Sequence, residues 1–154
     1  GVYARFAQGL FARYGKTVTE EGIYKAYDMF EGITAYVQRI MHDVFTETAT
    51  GGTADVDLVD NMIDRFIEES SRRIREQLSV ITEQQKELLY AIHSEGIAKG
   101  LTASAFVKRH RLKSASSVQS ATKQLLEMDL ITKEGNEYTL SDPLLKLWLT
   151  REIQ

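Results

Sequence analysis

Gly15-Lys16-Thr17 is the kind of tripeptide that closes a phosphate-binding loop, in which backbone N–H groups and a lysine cradle a nucleotide's phosphates. That loop needs four residues between its glycines, and Gly9 and Gly15 enclose five. It also follows a strand, whereas the residues before Gly15 have helical spacing. The tripeptide is therefore not expected to hold nucleotide. His42, His93 and His110 fall in separate predicted elements, and the chain has no cysteine. Their spacing makes no metal-ligand set. Asp57, Asp60, Asp64 and Glu68 recur every three or four residues, the pattern of a solvated helix face rather than of a catalytic pair. No Ser-His-Asp order emerges. The sequence thus points to no catalytic residue and no metal ligand, and the segment is not expected to be an enzyme by itself.

A second set of residues suits nucleic-acid chemistry. Lys108, Arg109, His110, Arg111 and Lys113 precede a helix that carries Ser116, Ser117, Ser120 and Lys123. Small hydroxyls near a helix start suit contact with base edges, and cations just before it suit phosphates. Lys133 and Asn136 fall in and beside a predicted hairpin. The expected DNA-binding set is Arg109, Arg111, Lys113, Ser116, Ser117, Ser120, Lys123, Lys133 and Asn136. Glu127 on the same outer face opposes phosphate, and the helix has no arginine for a bidentate guanine contact. A fold does not fix what it binds, and such a helix can equally serve as a protein-binding surface, so duplex DNA and a protein partner both stand as readings.

These residues need elements to position them. Thr82-Glu83-Gln84-Gln85 is a capping box opening a helix with Leu88, Leu89, Ala91 and Ile92 inside, ended by Gly96 and Gly100. Thr102 is expected to cap a short helix with Phe106. After a turn at residues 112–114, Ser114 or Ser116 caps a helix that turns Val118, Ala121, Leu125 and Leu126 inward. Two β-prone runs flank Gly135-Asn136, a hairpin signature. Asp142 then caps a last helix with Pro143 in its first turn. Helix, short helix, turn, longer helix and hairpin make a winged helix-turn-helix over residues 80–154.

Residues 1–79 read as a four-helix unit. Tyr3, Phe6, Ala7, Leu10, Phe11 and Tyr14 make one apolar face. Thr19 caps a second helix with Ile23, Ala26, Tyr27 and Phe30 inside. Thr34 starts a third. Residues 46–53 read as a loop tipped by Gly51 and Gly52, and a long fourth helix covers about residues 55–78. The fold class is mainly α, with a two-stranded wing.

The composition bounds the rest. Of 154 residues, 43% are hydrophobic, enough for a core, and the net charge is −3. Before Lys99, 10 Lys and Arg stand against 16 Asp and Glu; from Lys99 on, 9 stand against 6. The asymmetry suggests two units with different partners. No apolar run approaches a membrane span and no leader is visible. The lack of cysteine fits a reducing cytoplasm. A start at Gly1 rather than Met suggests a piece of a longer protein.

The string SASSVQSATKQLLEMDLITKEGNEYTLSDPLLKLWL, residues 114–149, resembles the C-terminal winged helix of the archaeal-type, AAA+/STAND-like P-loop ATPases. The shared features are the Ser-Ser-Val-Gln start, the Leu-Leu-Glu-x-x-Leu-Ile exit and the Asp-Pro-x-x-x-x-Trp-Leu end. Upstream, TEEGIYKAYDMFEGITAYVQRIMHDVF resembles that family's helical lid, with Gly32 before a Tyr-Val-Gln helix. The resemblance implies a P-loop core N-terminal to Gly1, with ATP and Mg²⁺ bound there and not in this segment. That core would be a partner within the same polypeptide. Many such lids place an arginine three residues after the glycine; Ala35 stands there, and Arg39 is the nearest candidate. The leading expectation is a regulatory C-terminal piece of such an ATPase. The alternative is a stand-alone winged-helix transcriptional regulator with an N-terminal helical dimerisation or sensor domain.

Overall fold

Apolar residues three and four apart build eight α-helices among the residues described by the computed structural model, 1–153. The chain divides into two units, Gly1–Ser70 and Ser71 onward. The first holds α1 (Val2–Arg13), β1 (Thr17–Val18), α2 (Glu20–Met29), α3 (Thr34–Glu47), β2 (Thr53–Ala54) and most of α4 (Val56–Ser79). The second holds the last turns of α4, then α5 (Glu83–Glu95), α6 (Ser104–Arg109), α7 (Ala115–Glu127), β3 (Ile131–Glu134), β4 (Glu137–Leu140) and α8 (Pro143–Glu152). The division falls inside α4 rather than at its end. Its last turns belong with α8: Trp148 Nε1 donates to Ser71 Oγ at 3.0 Å, and Arg75 pairs with Glu152 at 3.2 Å.

The first unit is cored by Ile23, Ala26, Phe30, Ile40, Val44, Val59 and Ile63. The Phe30 ring stands 5.3 Å from Tyr36 and 5.8 Å from Phe66, within the range of favourable aromatic pairs. Thr19 caps α2 as expected, accepting from Gly22 N at 3.1 Å. Three expectations are corrected. The stretch read as a loop ends in a strand: β2 pairs in parallel with β1, Thr17 opposite Thr53 and Val18 opposite Ala54. A two-residue strand has no alternation to read, so the pairing depends on where α1 and α3 end. Tyr27 is exposed, its ring 6.2 Å from Tyr3, because Ile23, Ala26 and Phe30 already fill the inner face. Phe6, Leu10 and Tyr14 are exposed too, since Ala4, Ala7 and Phe11 are the residues of α1 that enter the core.

Gly15-Lys16-Thr17 joins α1 to β1. Gly15 takes φ +71° and accepts from Gly51 N at 2.7 Å, which ties it to the segment before β2. Lys16 Nζ donates to Phe45 O at 2.8 Å and sits 4.0 Å from that ring's centre. The lysine is committed to its own fold.

In the second unit the capping box at Thr82 forms, with Gln85 as its partner. Asp142 caps α8, accepting from Leu144 N at 3.0 Å. Thr102 does not cap α6: Ala103 occupies the cap without a side-chain bond, and the helix starts at Ser104. The hairpin registers Ile131 with Leu140 and Glu134 with Glu137 around Gly135-Asn136. Gly135 at φ +60° supplies the left-handed residue that a two-residue turn demands. Ala98 bridges to β4 from a third segment of the chain, exchanging both backbone hydrogen bonds with Tyr138 at 2.9 and 2.8 Å. Trp148 is buried, as expected of a core residue.

Candidate nucleic-acid interface

Helix α7 buries Val118, Ala121 and Leu125 and so turns Ser116, Ser120, Lys123 and Glu127 to solvent. Leu126, expected inside, is half-buried, since it lies between the buried stripe and the wing-facing side. Ser114 starts the helix in extended conformation and accepts from Ser117 N at 3.1 Å. Ser117 Oγ accepts from Ser114 N and donates to Ser114 O, completing a capping box. Its hydroxyl is therefore engaged within the cap. Ser116 Oγ lies 3.2 Å from Ser114 Oγ, and Ser120 is exposed.

The turn into α7 carries the cations. Arg109 Nη1 donates to Glu95 Oε1 at 2.6 Å, and His110 Nε2 shares that oxygen at 2.7 Å. The His110 ring packs 4.6 Å from Phe106. These bonds, His110's first and Arg109's second, hold the Glu95 carboxyl below its ordinary pKa, against some opposing desolvation. Arg111 adopts φ +54°, a left-handed conformation that costs a non-glycine residue about 1–2 kcal/mol. Arg111 and Lys113 are exposed.

Residues 96–126 contain no Asp or Glu but six Lys and Arg: Lys99, Lys108, Arg109, Arg111, Lys113 and Lys123. Lys99 pairs with Glu137 at 3.5 Å and Arg109 with Glu95. Lys108, Arg111, Lys113 and Lys123 make no ion pair among the described residues. A concave groove of about 610 Å³ opens between α7 and the wing. Lys123, Lys133 and Asn136 meet there, beside Gln119, Tyr138 and Glu127. Lys133 Nζ stands 5.5 Å from the Tyr138 ring centre.

The structure thus gathers Lys123, Lys133 and Asn136 at the wing and sets Arg111 and Lys113 at the opposite end of α7. Ser116 and Ser120 lie on the helix between them. Arg109 and Ser117 are turned to internal bonds instead. Sequence reasoning missed Gln119 and Thr122 on the groove wall, although their spacing from Leu126 along α7 is helical. It also missed Glu95, for which the abrupt end of acidic residues before position 96 was the available signal.

Glu95 gives a pH prediction. Its folded-state pKa is depressed, so its contribution is complete above the ordinary carboxylate value of about 4.3 and drains as pH falls through the lower folded value. Glu95→Gln should therefore flatten the acid limb of the stability profile and lower stability at neutral pH. Urea midpoints read by Trp148 fluorescence between about pH 3 and 7 test this. Parallel profiles for the two proteins would contradict it.

A capped helix-turn-helix followed by an antiparallel wing defines the second unit as a winged helix. The chain belongs to the family described as a probable winged helix domain, whose model matches residues 73–151. No curated protein matches it. Among solved structures, the Walker-type ATPase of Pyrococcus abyssi is similar at a TM-score of 0.70 and 16% identity. That match covers 96% of this chain and 40% of the ATPase chain. This chain therefore spans less than half the length of that protein. No helix among the described residues is long and apolar enough to cross a membrane.

Proposed function

We propose that this chain is the C-terminal part of a P-loop ATPase and that its winged helix binds the backbone of duplex DNA. The observation that carries the DNA reading is the acid-free run of residues 96–126, with four exposed cations outside any ion pair among the described residues: Lys108 on α6, Arg111 and Lys113 in the turn into α7, and Lys123 towards its C-terminal end. At about 1.5 Å rise per residue, Lys123 lies roughly 12 Å along α7 from its first residue, Ala115, and Lys113 stands two residues before that start, a span comparable with the ~12 Å width of the major groove. Cations at each end then face a different strand, with Ser116 and Ser120 between them. Arg111 adds support. Glycine would occupy its left-handed turn position at lower cost, yet the chain keeps a cation there.

The ATPase reading is supported by the motifs of residues 114–149 and by the fold likeness over nearly the whole chain. In it, ATP and Mg²⁺ belong to the core, and this chain supplies no group to the phosphates. Ala35 carries no side-chain donor. Arg39 is held by Asp43 at 3.1 Å and Glu69 at 2.9 Å, 4.9 Å from the Phe66 ring centre.

The test is titration of the chain with a fluorescent duplex between about 50 and 200 mM salt, where four phosphate contacts predict a log–log slope of about −4. Negligible binding at the lowest salt would remove the DNA reading and leave a protein partner. A native reading frame with no P-loop upstream would remove the ATPase reading and favour the stand-alone regulator.

A further inference from the structure

The wing has two chemically different faces. Strand alternation sets Lys133 and Tyr138, directly opposite each other, on the side of the buried Ile131 and Leu140. Glu134 and Glu137 fall on the other side with Thr132 and Thr139, whose hydroxyls lie 3.1 Å apart. The side that bears Lys133 and Tyr138 looks onto α7 across the groove of about 610 Å³. That volume is in the ~300–1,000 Å³ range of sites that hold small molecules.

The groove walls carry three kinds of group. Lys123 and Lys133 are exposed cations outside any ion pair among the described residues. Gln119 and Asn136 are exposed amides, each with donors and an acceptor, and neither side chain bonds to another described residue. Tyr138 is half-buried and lends its ring to the wall. Lys133 Nζ, 5.5 Å from that ring's centre, is near the ~6 Å limit of a cation–π contact, so this flexible side chain can leave the ring for an anion. Glu127 is the one carboxylate lining the groove.

These groups discriminate among anionic ligands. An acidic peptide would use the lysines, meet repulsion from Glu127 and leave the ring and amides idle. A nucleotide uses all of them. Its phosphate suits the lysines and its base face suits the ring. Its base edge presents donors and acceptors together, matching the amides and Glu127. A paired base keeps its faces inside the duplex stack, so only an unpaired one can reach the ring. We infer that the groove between α7 and the wing binds an unpaired nucleotide of single-stranded DNA, stacked against Tyr138. The inference goes beyond the duplex reading and rests on it only for the source of the strand, since Lys123 belongs to both surfaces.

The experiment titrates the chain with a blunt duplex, with the same duplex bearing a single-stranded overhang, and with the single strand alone. A fluorescent purine analogue sits in the overhang. The overhung duplex should bind at least about tenfold more tightly than the blunt one, and the analogue should be quenched as it stacks. Tyr138→Leu should abolish both effects with blunt-duplex affinity unchanged, whereas Tyr138→Phe should retain them. Gln119→Ala, at an exposed site where melting should stay within about 2 °C, should cut the preference about fivefold. Equal affinity for blunt and overhung duplexes would overturn the groove inference and leave the duplex reading standing. Binding of the single strand but not of the blunt duplex would remove the duplex reading and keep the groove. No binding of any of the three would overturn both. Tighter binding of an oligoglutamate peptide than of the single strand would assign the groove to an acidic protein segment and overturn the inference.

Discussion

Leu125→Ala will lower the unfolding free energy of the second unit by about 3 kcal/mol, within the 2–5 kcal/mol usual for truncating a buried leucine. Leu125 is 0% exposed and is the last buried residue of the α7 stripe, between Ala121 and the start of the wing. Its backbone carbonyl also accepts from Leu130 N at 3.0 Å, in the turn that leads into β3. The side chain therefore sits where the recognition helix, its exit turn and the hairpin converge. Dense interiors relax only partly around a lost isobutyl group, so the cost includes the cavity as well as transfer. Trp148, the single tryptophan, is 6% exposed within the same unit, and its fluorescence reports that unit's unfolding. Lys123→Ala, two residues away on the opposite face, should change stability by no more than about 0.5 kcal/mol. Equal effects from the two substitutions would mean that α7 is not oriented as described.

That orientation was legible in the sequence for a physical reason. Helix facing follows from a fixed rotation per residue, and Val118, Ala121 and Leu125 are the apolar members of one face. Cap chemistry is equally local: Thr19, Thr82, Ser114 and Asp142 each lie two or three residues from the N–H they accept. The wing turn needed a left-handed residue, and Gly135 provides it. What escaped was non-local or too short to have a period. The β1–β2 rungs join residues 17–18 to residues 53–54, and the Ala98–Tyr138 rung involves a single residue on one side. The apolar pattern of α1 correctly marks a face that wants cover. Periodicity does not say which residues of that face the chain itself buries, and it leaves Phe6, Leu10 and Tyr14 exposed.

The candidate site was read less completely than the fold. Residue type located the cations, but their availability depends on partners distant in sequence. Arg109 is engaged by Glu95, a residue on the previous long helix. Ser117 looked like a base reader because it is a serine near a helix start, and that same position lets it close the cap with Ser114. Thr122 Oγ1 donates to Val118 O at 2.7 Å, so a groove hydroxyl is likewise partly engaged. The candidate surface is narrower than residue type implied, because Arg109 and Ser117 are turned to internal bonds.

Replacing Lys108, Arg111 and Lys113 together by alanine should weaken duplex binding on the order of 10²–10³-fold near 0.1 M salt and reduce the salt slope by about 3. Arg111 and Lys113 stand in the turn into α7 and Lys108 on α6, all exposed and outside the ion pairs of the described residues, so each can release a counterion on meeting phosphate. The loss should be uniform across sequences, because phosphates carry no base identity. Stability should fall little, and Arg111→Gly alone should raise it, since glycine relieves the positive φ. The single variant thereby separates the fold from the function: a more stable protein that binds DNA less well. A triple variant that keeps the wild-type slope would place the phosphate contacts elsewhere on the unit. Binding lost instead with Lys123→Ala and Lys133→Ala would put them in the groove between α7 and the wing, where those two side chains meet.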